Sequence, residues 1–418
     1  MNMLRINGDR LWQSLMEMGE IGATKKGGCA RLALTDLDKQ AKDLFVKWCV
    51  EAGCIIHIDA VGNVYARRPG KNNDLPPICT GSHLDTQPTG GKFDGVYGVL
   101  SGVEVLRTLQ DQNITTEAPI EVIVWSNEEG SRFPPAMMAS GVVAGKFELQ
   151  DILNKKDEHG LRYGDELERI GYAGVIEPGS RPIGMYFEAH IEQGPVLENS
   201  GDTIGVVTKC QGQRWYDMTV TGRESHAGTT PMHLRADALV AASRIVQHVE
   251  TIAKEHGPFG CGTVGYMNVY PNSRNTIPGQ VSFGVDLRHP EDTQLSSMDK
   301  MLLDFIDDEA FSHLDIELDP YWYCPPIDFS DECVETVRVA AKSFKYSSKE
   351  VCSGAGHDAC YIAEISPAAM IFIPCEGGIS HNEVENISQG HSTAGCNVLL
   401  NAMTEKAKVI SNRSAPFG

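Results

Sequence analysis

The chain has 418 residues, enough to bury a substantial core and to divide into two or three structural units. Its 36 Lys and Arg stand against 56 Asp and Glu, a formal net charge of -20, which repels nucleic acid and anionic membrane surfaces and excludes both as partners. The stretch from Met1 to Gly22 mixes charges with an amphipathic pattern, so it reads as no secretory signal. The longest apolar stretches, such as Pro367 to Pro374, fall far short of the roughly 20 residues that cross a bilayer and read as buried strands. The 12 cysteines form no C-x-x-C pair, which points away from a thiolate metal cage or a disulfide framework and towards a reducing cytoplasm.

In chain order, Leu37, Ala41, Leu44, Phe45 and Trp48 fall at helical spacing, with Gly53 as the stop. An apolar run ending at Ser82, a glycine-rich loop, a helix over Gly95 to Leu109 and a second apolar run from Ile120 to Ser126 predict a β-α-β unit. Ligands gather at the carboxyl ends of strands in such sheets, so His83 and Glu128 are expected to be neighbours. After Val207 the pattern changes. Trp215 to Gly222 alternates like a half-solvated strand, and Thr230 and Pro231 are expected to open a long helix carrying Leu239, Ala242, Ile245, Val249 and Ile252. Val281, Phe283, Val285 and Leu287 alternate with Ser282, Gly284, Asp286 and Arg288 as a further strand. After about Pro325 buried-strand runs like those before Val207 return. The expected fold is α/β: a mostly parallel-sheet catalytic domain over 1–210 and 325–418, with a smaller α+β sandwich inserted at 211–324.

Six residues at strand ends and loops carry the chemistry. His83 in Gly81-Ser82-His83-Leu84-Asp85 and Asp94 in the loop Gly90-Gly91-Lys92-Phe93-Asp94-Gly95 precede the helix; Asp94 reads as a metal ligand, as the helix cap, or as both at once, since one carboxylate has two oxygens. Glu128 and Glu129 follow a buried strand, where adjacent carboxylates are costly unless a cation offsets them. His190 and His381 complete the set. With Asp94 bridging, His83 and His190 give one metal three protein groups, and Glu129 and His381 do so for a second, leaving a common position for water. Imidazole and carboxylate donors suit zinc best, with manganese, cobalt or nickel as substitutes. Asp85 is then expected to accept the other ring proton of His83 and fix its tautomer. Glu128, free of metal, is expected to move protons. A thiol-dependent amidase is the competing reading, resting on Cys352 and Cys360 near a histidine.

The segments Gly81-Ser82-His83-Leu84-Asp85-Thr86, Phe93-Asp94-Gly95, Glu128-Glu129-Gly130, His190-Ile191-Glu192-Gln193-Gly194 and Ser380-His381 together resemble the dizinc aminoacylase and carboxypeptidase G2-like amidohydrolases (M20) over nearly the whole chain. Within them the chain is most similar to the N-carbamoyl amino acid amidohydrolases, β-ureidopropionase included, with allantoate amidohydrolase a near neighbour. The resemblance implies hydrolysis of the ureido carbonyl of an N-carbamoyl amino acid, a lid domain that also makes a homodimer, and substrate contacts from Gln193, His226, Asn275, Arg288, Gly356 and His357. Arg288 has the fork to bind a substrate carboxylate, against the alternative of a surface pair with Asp286. His226 has the donor to stabilise a developing oxyanion, against that of a plain loop histidine.

Overall fold

Local signals start and stop the elements that frame the site, in a computed structural model that describes residues 3–410. The helix Asp36–Glu51 begins where the Thr35 side chain accepts from Asp38 N and buries Ala41, Phe45 and Trp48, the stripe its spacing predicts. The helix Val96–Asp111 is buried almost all round. It lies on the strands Ile78–His83 and Met185–Ile191, and the helices Gly8–Glu20 and Gln389–Ala407 pack against it.

By contact density the chain divides into two units, one running to Thr208 and resuming at Asp328, the other spanning Lys209–Ile327. The first holds a sheet whose strands lie in the order Ile55–Ile58, Val64–Arg68, Ile120–Trp125, Ile78–His83, Met185–Ile191, Ala368–Ile373, Ile204–Cys210 and Ile327–Asp328, with Ser348–Ser353 also beside Ile204–Cys210. The four central strands run parallel, and antiparallel strands flank them. All four are fully or almost fully buried, as parallel strands covered on both faces must be. Parallel running also sends their carboxyl ends to one edge.

The second unit is an antiparallel sheet in the order Cys261–Tyr270, Gln280–His289, Gly212–Thr221 and Asp315–Cys324. Tyr216, Met218, Val220, Val281, Phe283, Val285 and Leu287 from one face form a core with Ala242, Ile245, Val249, Leu295, Met298 and Leu302 of the two helices Ala238–Glu255 and Asp292–Ile306. Burial alternates strictly along Gln280–His289, the signature of a sheet covered on one side.

One expected boundary is wrong. The long helix opens not at Thr230 and Pro231 but at Ala238, because the Asp237 carboxylate accepts from both Leu239 N and Val240 N. Pro231 instead precedes a short 3-10 turn, Met232–Leu234. Asp237→Ala should therefore cost about 1 kcal/mol in denaturant unfolding, while Thr230→Ala should leave the midpoint where it is.

Candidate active site

The central strands deliver their polar residues to a single place. His83 ends its strand, His190 lies one residue from the end of Met185–Ile191, and Glu128 and Glu129 come just after Ile120–Trp125. His381, held at φ +52°, stands in the loop beyond Ala368–Ile373. Asp94 occupies the loop between the His83 strand and its helix, and its carboxylate is the hub. His190 Nε2 is 3.2 Å and His83 Nε2 3.8 Å from Oδ1, while His381 Nε2 is 3.3 Å from Oδ2 and 3.5 Å from Glu129 Oε2. Donor atoms of His83, Asp94 and His190 all lie within 4.8 Å of one another, as do those of Asp94, Glu129 and His381.

The helix-cap reading of Asp94 is excluded. Gly95 is the capping residue and no side chain caps that helix. Gly95 sits at φ +65°, and a Cβ there would fall 2.3 Å from His83 Nε2, so only glycine lets this backbone pass the imidazole.

Backbone carbonyls orient both buried rings. His83 Nδ1 lies 2.8 Å from the Asp85 carbonyl and His190 Nδ1 2.9 Å from the Ile191 carbonyl. With Nδ1–H donating there, each Nε2 is turned toward Asp94, and Gly95 N–H reaches the His190 one at 3.2 Å. The expected role of Asp85 is thereby corrected. Its carboxylate stays 4.0 Å from His83 Nδ1 and instead accepts from Glu128 N and Glu129 N, each at 3.2 Å; the residue orients His83 through its main chain and the two glutamates through its side chain.

The electrostatics are those of acids crowded out of water. Burial, then the charges of Asp358, Glu129, Asp85 and Asp94, push the Glu128 carboxyl far up. Burial and Asp94 push Glu129 up to about 8, and burial with Asp38 pushes Asp85 up to about 7. Asp94 goes the other way. Burial opposes its charge, but His190, His381 and His83 hold it well below the usual carboxylate range. Burial lowers His83 to about 4; for His190 the pull of Asp94 outweighs burial and carries the ring up to about 9. Two demands thus compete at His190 Nε2, a lone pair for Gly95 N–H and a proton for Asp94. A cation among these groups would meet both, and would relieve the glutamates as well. The donor set therefore fits a pair of divalent metals, with Asp94 able to face both.

Other expected site residues are placed as follows. Gln193, at φ +58°, donates from Nε2 to Asp94 Oδ2 at 2.9 Å and to Ser380 Oγ at 3.2 Å. His357, next to Gly356, is 2% exposed, with Nε2 2.9 Å from Ser353 Oγ and its ring 4.6 Å from that of His190. That nitrogen meets a hydroxyl, not a thiol. In the second unit His226 and Asn275 are brought together, since Thr276 pairs with His226 and Ala227 N donates to Asn275 O. Gly228 N and Thr229 N both point at His226 Nδ1, so its proton is on Nε2. Arg288 is engaged by Asp286 through Nε and Nη2, at 3.0 and 2.7 Å: the surface pair weighed against carboxylate recognition does form.

The profile of peptidase family M20/M25/M40 matches residues 79–405. The chain belongs to that family. It is 48% identical over 408 residues to the N-carbamoyl-L-amino-acid amidohydrolase of Rhizobium meliloti, covering 97% of this chain and 98% of the relative. Allantoate amidohydrolase of Bacillus subtilis is 34% identical, over 93% of this chain and 95% of its own. A solved amidase of the hydantoinase/carbamoylase family from Burkholderia multivorans superposes with a TM-score of 0.92 at 56% identity, covering 97% and 98% of the two chains. This M20 chain is an amidohydrolase.

Two acids of the site were missed from sequence. Glu188 shares a strand face with His190, and its carboxylate accepts from Ser82 Oγ, Tyr186 OH and Ala359 N; the two-residue spacing in Glu188-Ala189-His190 was the available signal. Glu385 lies in a loop and had none. The geometry around Asp85 also makes a prediction. Asp85→Asn leaves one of the two glutamate amides facing an NH2 group, so it should lower stability by about 1–3 kcal/mol, read by denaturant unfolding, and should leave the His83 tautomer, read by NMR, as it is.

Proposed function

We propose that this amidohydrolase cleaves the carbamoyl amide of an N-carbamoyl amino acid, giving the amino acid, ammonia and carbon dioxide. Two divalent cations, zinc by the character of the donors, would be held by His83, Asp94 and His190 and by Asp94, Glu129 and His381. The observation that carries the reading is the convergence of three imidazoles and Glu129 on the two oxygens of one buried carboxylate. Similarity to the Rhizobium meliloti relative supports the substrate class. When bound, such a cation pair polarises a carbonyl and makes a water more acidic.

The residues do the rest. Glu128, buried and outside both ligand groups, takes the proton of the attacking water and passes it to the leaving nitrogen. His226 offers Nε2–H to the oxygen that gains charge. Arg288 takes the substrate carboxylate, and Gln193, Asn275, Gly356 and His357 make the remaining contacts. A homodimer through the smaller unit belongs to the same proposal, and a monomeric mass by light scattering would remove it.

A panel of N-carbamoyl-L-α-amino acids, N-carbamoyl-β-alanine and allantoate, assayed before and after chelation and metal add-back, tests the reading. Turnover of an N-carbamoyl amino acid that disappears on chelation and returns with zinc is expected. Exclusive turnover of allantoate would install the second reading, which the Bacillus subtilis relative favours; activity that survives chelation and fails with a thiol reagent would remove the cations.

Glu128→Gln should retain its metal by elemental analysis while kcat falls roughly 10²–10⁴-fold. The protonation pattern gives a pH dependence with a defined sign. Asp94 carries His381, despite its burial, up to about 9, as it does His190, so both rings hold a proton at neutral pH that a metal must displace. Zinc affinity should therefore rise as pH increases from 6 towards 9, about these values, with net proton release seen by calorimetry in buffers of different ionisation enthalpy. An affinity independent of pH would contradict it.

A further inference from the structure

We propose that Glu385 is a positioning residue that sets Asp94 and the Ser380–His381 loop in register for metal binding; the inference rests on the two-cation reading above. Glu385 is 2% exposed, and its oxygens are divided between two segments far apart in the chain. Oε1 accepts from Phe93 N at 3.0 Å and from Asp94 N at 3.1 Å, across 292 and 291 residues. Oε2 lies 3.0 Å from Ser380 Oγ. The same hydroxyl is 3.1 Å from Asp94 Oδ2.

One side chain therefore fixes the main chain of the shared carboxylate and, through Ser380, the residue next to His381. The protein is shaped to admit it. A Cβ on Gly91 would fall 2.1 Å from the Glu385 carboxyl, so glycine leaves the room the carboxylate fills. Main-chain amides that converge on an acid make a well-defined anchor, since a carboxylate accepts several donors at fixed directions. Asp94 must serve both ligand groups at once, so a small shift of its peptide displaces donor atoms in each. His381 is half exposed, with 53% of its side chain accessible, and has little packing of its own to hold it. Outer groups of this kind govern metal affinity without touching the metal.

The test is calorimetric titration of zinc into chelator-stripped full-length protein, for the native chain and for Glu385→Ala, Glu385→Asp and Glu385→Gln. Asp keeps the charge but draws the oxygens back by one methylene; Gln keeps the length and the acceptor that faces the two amides. Zinc affinity should fall about 10–100-fold in the Ala and Asp variants and stay near native in Gln, with far-UV circular dichroism unchanged. Native affinity in Ala or Asp, or a tighter Asp than Gln variant, overturns the inference. Should the Ala variant fail to fold, the contrast of Asp with Gln decides alone. Two zinc ions bound by the native chain with no change in the variants sinks only this inference, whereas no zinc bound by the native chain sinks the two-cation reading too.

Discussion

The structure around the site depends on holding a shared carboxylate ionised in a place that water does not reach. Asp94 is 4% exposed, and desolvation alone would drive it to take up a proton. Three imidazoles reverse that outcome. For Glu128 and Glu129 burial and the neighbouring acids prevail, even though His381 and Gln87 pull Glu129 the other way. A fold that spends stability on assembling acids in this way has a reason beyond packing, because apolar residues of the same volume would be easier to bury. The parallel sheet makes the assembly possible, since it alone sends four strand ends, from His83 to Ile373 in the chain, to one edge.

Positive charge behind the site tempers the cost. Lys42 is 1% exposed, 3.3 Å from Asp38 and 2.8 Å from Ser126 Oγ, just before the two glutamates in sequence. Arg31 is fully buried, and its Nε and Nη1 donate to the carbonyls of Leu84, Met18 and Ile21. Among the described residues it has no carboxylate partner, and its Nε bond to the Leu84 carbonyl fixes the main chain between His83 and Asp85. Asp85 then extends the scaffold by holding the Glu128 and Glu129 amides. Oriented peptide groups recur here: His83 and His190 are aimed by carbonyls, Asp85 and Glu385 by amides. Main chain is stiffer than side chain, and a site aimed by it costs less ordering when a ligand arrives.

The elements were legible where periodicity is strong. The Asp36–Glu51 helix, the two strands of the β-α-β unit and the alternating Gln280–His289 strand all follow from apolar spacing, since burial on one face or on both writes itself directly into the sequence. The helix start at Ala238 was not, because Thr230 and Pro231 form a plausible opening and only three-dimensional context shows that the Asp237 carboxylate reaches the first amides. Within the site, residues at strand ends were readable by position and motif. Glu385 was not, as its amide partners lie almost 300 residues away and no local pattern distinguishes it from a solvated loop acid. Asp85 was readable as a neighbour of His83 but not in its bonding: spacing of two residues gives proximity, and whether carbonyl or carboxylate meets the ring depends on side-chain direction.

The Arg288–Asp286 pair is compatible with the role proposed for Arg288. Arg288 projects from the uncovered face of its sheet with about a quarter of its side chain accessible, as has Asp286. A partly exposed pair of this type contributes about 0–1 kcal/mol, so under that proposal a substrate carboxylate would exchange with Asp286 at little net cost. Meanwhile the bonds from Nε and Nη2 to Asp286 order the Arg288 side chain, so binding there would have less rotamer entropy to remove. His226 is prepared in a different manner: two amide donors occupy Nδ1, so Nε2 can only donate and the ring needs no tautomer change. A side chain already committed to a protein partner is thus not withdrawn from chemistry. What matters is how weak that partner's hold is and which atoms it leaves over.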